Sequence, residues 1–213
     1  NEANKIVGAE DEVTLPNGET ITGHYILVES GAATPSHQST NGFEETEGFP
    51  VDQDGKNVND RDYKRDKEAQ QITLRMGENY DQRAIQSPIV VSQDGVVLSG
   101  NGRTMAGEIA AQNGTDIKYN DYLRKYGNKY GFTQEQITAY QHPRVVFVPD
   151  VAMPYNSETF AKFNQREQKS QNRTETAVKM GKLVSDDLFG RVMSKVNEFS
   201  TLGEFYANDK ATT

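Results

Sequence analysis

The stretch VVLSGNGRTMAGEIA, residues 96–110, holds the residue types in this chain best placed to do chemistry. A β-branched run ends in Ser99-Gly100-Asn101-Gly102-Arg103, and helix-forming residues begin at Thr104. A helix that starts directly after a strand presents N–H groups with no intrahelical partner, and its dipole favours negative charge there. Gly100 and Gly102 let a ligand approach the backbone with no Cβ in the way. Arg103 adds a planar fork that matches two phosphate oxygens. One reading is a phosphate cradle formed by Ser99, Gly100, Asn101, Gly102, Arg103 and Thr104. The other is a tight strand-to-helix turn with Arg103 paired to an acid such as Glu108, since glycine is the default turn residue. The turn has neither the Gly-Lys-Ser/Thr of a Walker loop nor a complete dinucleotide fingerprint.

Other polar residues could join such a site. Ser36 and His37 lie on a long segment, where functional residues concentrate. His37 could contact a base or phosphate, but no acid at fixed spacing makes it a triad member, so a plain loop histidine is the alternative. Asp60 and Asp62 flank Arg61, and a local ion pair is favoured over a divalent-metal site because two carboxylates leave a metal under-coordinated. Asn164 and Arg166 sit two apart on an expected helix, about 200° around it, so only one can face a ligand. Arg166 reads as helix surface. Tyr119, Tyr122, Tyr126 and Tyr130 recur at helical spacing and read as packing first, base stacking second.

These residues need a scaffold. Residues 13–30 read as a hairpin around Asn17-Gly18. Residues 31–62 lack periodicity and form a loop of about 30 residues, a length that is functional or disordered in compact domains. Helices are expected at 67–76, 104–112, 119–130 and 133–140, with Asn113-Gly114 as a C-terminal stop and Thr133 as a cap. Strands are expected at 88–91, 96–98 and 144–148, the first two joined by an Asp94-Gly95 turn. From Ser157, an expected cap, the chain reads as helices to about residue 207. Strands mixed with helices, then an all-helical end, indicate α/β or α+β, with a core over 1–155 and a helical extension over 156–213.

Composition narrows the functions. The chain has no Cys, which excludes disulfide scaffolds, cysteine-held metals and thiol nucleophiles, and three His make an imidazole metal cage a poor fit. Residues 1–60 carry twelve acids against two bases, whereas 162–195 carry eight bases against four acids, within a net charge of −8. That balance argues against a general nucleic-acid coat. It permits local phosphate contact, including DNA, along 162–195, for which a solvated helix face is the plainer reading. No apolar run approaches the roughly 18 residues of a membrane span. No signal peptide is visible, and a start at Asn1 suggests a piece of something longer.

The run DGVVLSGNGRTMAGEIA, residues 94–110, resembles the nucleotide-binding box of the ParB/sulfiredoxin superfamily, a strand ending in Gly-x-x-Arg before a helix. It specifically resembles the DdrB-like ParB branch found in polyvalent proteins of phages, plasmids and other conjugative elements, which carries Ser-Gly-Asn-Gly-Arg. Residues 25–29 with Ser36-His37, the Asp60-Arg61-Asp62 knot, and FAKFNQREQKSQNRTETA at 160–177 agree with it. The last is similar to the family's second box through Asn164 and Glu175-Thr176-Ala177. The resemblance spans about residues 13–180. It implies a small mixed sheet with flanking helices and a helical C-terminal extension. It further implies a nucleoside triphosphate (CTP or ATP) with Mg²⁺, held by Arg103 with Asn164 as second contact, in a cytoplasmic DNA-processing protein of a mobile element. A nuclease, a nucleotide-dependent phosphotransferase, and an interaction module with a vestigial turn are the competing readings. Sulfiredoxins place their catalytic Cys where this chain has Asn101, so sulfinic-acid repair is excluded. Partitioning ParB proteins carry Glu-Arg at the positions of Asn101 and Gly102, so the retained Arg103 supports binding more than hydrolysis.

Overall fold

The computed structural model describes residues 5–15, 18–59, 61–85 and 87–164. The chain divides into two compact units, Asn1–Glu167 and Gln168–Thr213, and the second lies outside the described residues. The helices expected after residue 164, and the basic stretch that follows, therefore go undescribed.

In chain order the first unit comprises β1 (Ile6–Thr14), β2 (Thr20–Glu29), β3 (His37–Gln38), β4 (Glu44–Glu45), α1 (Lys67–Glu78) and a 3₁₀ turn (Gln82–Ile85). There follow β5 (Ile89–Val91), β6 (Val97–Ser99), α2 (Asn101–Asn113), α3 (Ile117–Tyr126) and a second 3₁₀ turn (Gly127–Tyr130). The last elements are α4 (Gln134–Thr138), β7 (Pro143–Pro149) and α5 (Ser157–Asn164). Five strands form one mixed sheet in the order β1-β2-β7-β5-β6, with β7 and β5 parallel and every other neighbour antiparallel. The three strands expected at 88–91, 96–98 and 144–148 thus share a sheet. The fold is α+β, a small mixed sheet with flanking helices. Among the described residues no helix is long and apolar enough to cross a membrane.

Strand periodicity sorts the core. Leu27, Val145, Phe147, Val90 and Leu98 pack with helical and loop residues, while Ile26, Val28, Val146, Ile89, Val91 and Val97 form a separate cluster. Alternate residues of β2, β5 and β7 fall on opposite sides, as a period of two requires. Tyr119 and Leu123 of α3 are buried with Phe132 and Ile137, so Tyr119 serves packing. Phe160 and Phe163 of α5 are buried against Leu98 and Phe147, making α5 part of the first unit's core.

Two expectations need correcting. Residues 31–62 are not structureless: β3 and β4 pair as a short hairpin, and Thr34 bridges Val96 at the sheet's edge. Phe43, Phe49 and Val58 anchor the segment by entering the core. Isolated apolar anchors leave no periodic trace, which is why the segment reads as loop. At α5, Asn156 rather than Ser157 is the cap, its Oδ1 accepting from Thr159 N–H at 2.8 Å. Both residue types cap well, and only the backbone decides between neighbours.

Candidate functional site

The turn after β6 is built as its residues dictate. Gly100 is the N-cap of α2 with φ 92° and ψ 24°, a left-handed conformation that favours glycine, and its missing side chain leaves the helix start without a side-chain cap. The N–H groups of the first turn therefore have no partner within the helix. At the other end Gly114, also left-handed, closes the helix by donating its N–H to the Ala110 and Ala111 carbonyls, as the Asn113-Gly114 pair predicts.

Arg103 folds back over this turn. A Cβ on Gly100 would lie 3.1 Å from Arg103 Nη2, so glycine is what lets the guanidinium reach that position. Nη1 donates to the carbonyl of Ser87 and, at 3.4 Å, to that of Ala84. Both of these acceptors are backbone carbonyls of the segment that precedes β5. The side chain is half-buried.

Asn101, 3% exposed, is a cross-brace. Its Oδ1 accepts from Ser36 N–H at 2.7 Å, and its Nδ2 donates to Asn59 Oδ1 at 3.1 Å. The segment 31–62 is thereby tied down onto the turn from both of its ends. Ser36 and His37 are buried there, with Ser36 Oγ 2.9 Å from His37 Nδ1. His37 Nε2 is buried without a hydrogen bond and lies 3.9 Å from Asp62 Oδ1. Burial pulls His37 below its ordinary value, against the opposing pull of Glu45, Asp62 and Glu44. Tyr63 closes the cover, since a Cβ on Gly102 would meet its Oη at 2.9 Å.

The remaining expected residues are placed as follows. Ser99 Oγ donates to the Phe163 carbonyl at 3.4 Å, and Thr104 Oγ1 to the Gly100 carbonyl at 3.2 Å, so both hydroxyls are engaged inside the fold. Phe163 precedes Asn164, the last residue of α5, so the described end of α5 lies beside Ser99, and the rest of the second box lies outside the described residues. Arg166 and Asp60 lie outside the described residues. Asp62 pairs with Arg65 at 3.5 Å. Among the described residues no three of His, Asp and Glu are grouped to hold a metal ion. The turn thus brings together the first-turn N–H groups of α2 and the Arg103 guanidinium. A cavity of about 20 Å³ reaches Thr104 and Ile89, room for roughly one water.

Sequence reasoning missed two members of this arrangement, Asn59 and Tyr63. No motif marks either one, and only the long polar segment hinted that something there would fold back. It also missed a buried cation on the far side of α2. Arg144 lies against the touching rings of Tyr80 and Tyr119, its centre 5.0 and 5.3 Å from their centroids. Its Nη2 donates to Asp116 Oδ2 at 2.8 Å and to the Gly107 carbonyl at 2.7 Å. Burial pushes Asp116 up, but hydrogen bonds from Arg144 and His142 outweigh it and hold the carboxyl below its ordinary value. Beside them Glu108 is pushed up to about 7 by burial, opposed by Ser39 and Arg144.

A five-strand mixed sheet whose edge strand runs through Ser-Gly-Asn-Gly-Arg into a helix defines a ParB/sulfiredoxin-like domain. The sequence matches the ddrB-like ParB superfamily domain over residues 16–150, well over half of the chain. The chain belongs to that family. No curated protein and no solved structure matches the sequence.

Proposed function

We propose that the domain binds a nucleoside triphosphate, CTP or ATP with Mg²⁺, at the turn of residues 99–104, within a cytoplasmic DNA-processing protein of a mobile element. One observation carries this reading. Gly100 opens α2 with no side-chain cap, and Arg103 Nη2 lies 3.1 Å from where a Cβ on Gly100 would stand. An anion there meets backbone donors, a favourable dipole and a fixed cation together. In binding, the phosphate would take the N–H groups of residues 101–103, and Arg103 would exchange its carbonyl partners for phosphate oxygens. Asn101 acts one step back, holding the segment that carries Ser36 and His37 against the turn.

The test is thermal stabilisation of the full chain by CTP or ATP with Mg²⁺. A ligand at 100 times its Kd adds about 2.7 kcal/mol. Arg103→Ala should weaken binding by about 1.5–3 kcal/mol, the scale of a charge-assisted hydrogen bond. If neither nucleotide stabilises the protein at millimolar concentration, the turn is structural and the domain is an interaction module. The engaged side chains of Ser99, Asn101 and Thr104 favour that second reading.

A further inference from the structure

The sequence IKYNDYLRKYGNKY, residues 117–130, carries four bases (Lys118, Arg124, Lys125, Lys129) against one acid (Asp121), in a chain of net charge −8. All four bases are exposed. Asp121 is taken by Arg124 at 3.0 Å, and among the described residues no carboxylate is paired with Lys125 or Lys129. Those two lysines stand four residues apart, where like charges repel. Both are nonetheless gathered on one ring, with Nζ atoms 5.1 and 4.9 Å from the centroid of Tyr126. Tyr126 in turn leans on Tyr122 at 4.9 Å, and Ile117 adds an apolar contact at the start of the helix, being 64% exposed. Lys118, Tyr122 and Lys125 recur at i, i+4 and i+7, one stripe of α3. Repelling cations held on an aromatic platform have their charge relieved by a flexible polyanion that also carries ring faces.

We propose that the exposed face of α3 and the following 3₁₀ turn binds single-stranded nucleic acid, with Lys118, Lys125 and Lys129 on phosphates and Tyr126 beside the bases. Successive phosphates answer the spaced ammonium groups, and unpaired bases offer the stacking surface that a duplex hides. This surface is distinct from the Gly100 turn, and its test needs no nucleotide.

The full chain is titrated against a labelled single-stranded oligothymidylate of about 20 nucleotides and a duplex of equal length, following fluorescence anisotropy. Binding of the single strand should exceed that of the duplex. Its logarithm should fall with log salt between about 50 and 200 mM at a slope of about −2 to −3, for three or four phosphates. Lys125→Glu with Lys129→Glu should cut affinity at least tenfold at low salt with the melting temperature unchanged, while the paired Arg variants keep it. Tyr126→Leu should lower affinity without altering the salt slope. Arg103→Ala should leave oligonucleotide binding intact, which separates this surface from the nucleotide reading. Undiminished binding by the double Glu variant, equal affinity for duplex, or no binding at low salt would each overturn the proposal. So would retention on phosphatidylserine vesicles without oligonucleotide binding.

Discussion

Asn101→Ala is the perturbation that most directly tests how the turn is held. Its Oδ1 is the acceptor for the N–H of Ser36, a residue with no exposed surface. Removing that acceptor strands a buried donor, at a cost of about 1–3 kcal/mol. The second bond, to Asn59, lies in a half-buried setting and adds about 0.5–1.5 kcal/mol. The expected loss is therefore about 2–4 kcal/mol in urea denaturation, a large share of a typical domain's stability. Asn101→Asp keeps the acceptor for Ser36 but sets a carboxylate against the Asn59 oxygen, so its loss should be smaller, about 1–2 kcal/mol. Asn59→Ala and the double variant complete a cycle whose coupling energy isolates the Asn101–Asn59 bond. Amide exchange should quicken across residues 31–62 before it does in β2 or β7. An Asn101→Ala protein within about 0.5 kcal/mol of wild type, the range of an ordinary surface change, would refute the cross-brace.

Two further outcomes follow from the helix α2. Glu108 is pushed up to about 7 from its ordinary 4.5, so the folded state holds its proton more tightly than the unfolded one. Stability is lost as pH rises from 4.5 through 7, and Glu108→Gln should raise the unfolding free energy measured in urea at pH 8 by up to about 3 kcal/mol while changing little at pH 4.5. His37, pulled down by burial, works in the opposite direction below its ordinary 6.5 and cancels in the comparison of the two proteins; an equal shift at both pH values would count against burial of Glu108 as the cause. Gly107→Ala should gain about 1 kcal/mol of helix propensity yet lose about 1–3 by overpacking, since its Cβ would meet Arg144 Nε at 2.9 Å and Tyr80 Oη at 3.0 Å. Differential scanning calorimetry checks the sign, and a raised melting temperature would show that Arg144 can move.

What was readable in the sequence was local. Gly18, Gly95 and Gly114 each punctuate the chain between elements, because a positive φ leaves few residue types to choose from. Thr133 and Gln136 form the capping box of α4, again a relation across three residues. The strand-turn-helix around Gly100 was legible for the same reason. Long-range arrangements were not. Nothing near Arg144 announces that it pairs with Asp116, 28 residues earlier in the chain, and Asn59 has no signature that directs it to Asn101. The tyrosines of 119–130 show the boundary well. Their spacing indicated a helix, but only the packing separates Tyr119, which is buried, from Tyr126, which stands among lysines.

The partner of β2 on its inner side is β7, with Leu27 opposite Val145, more than a hundred residues further on. During synthesis the β1–β2 hairpin therefore leaves the ribosome with one edge lacking its neighbour. That edge waits through the production of α1, β5, β6 and the α2–α4 helices. Only when residue 149 is free can the strand be sealed and the parallel β7–β5 contact close. Unsealed strand edges are templates for intermolecular pairing, and contacts this distant in sequence make folding slow. Translation stalled or truncated before residue 143 should release a chain prone to aggregation, whereas the finished unit seals that edge from Gly23 to Glu29.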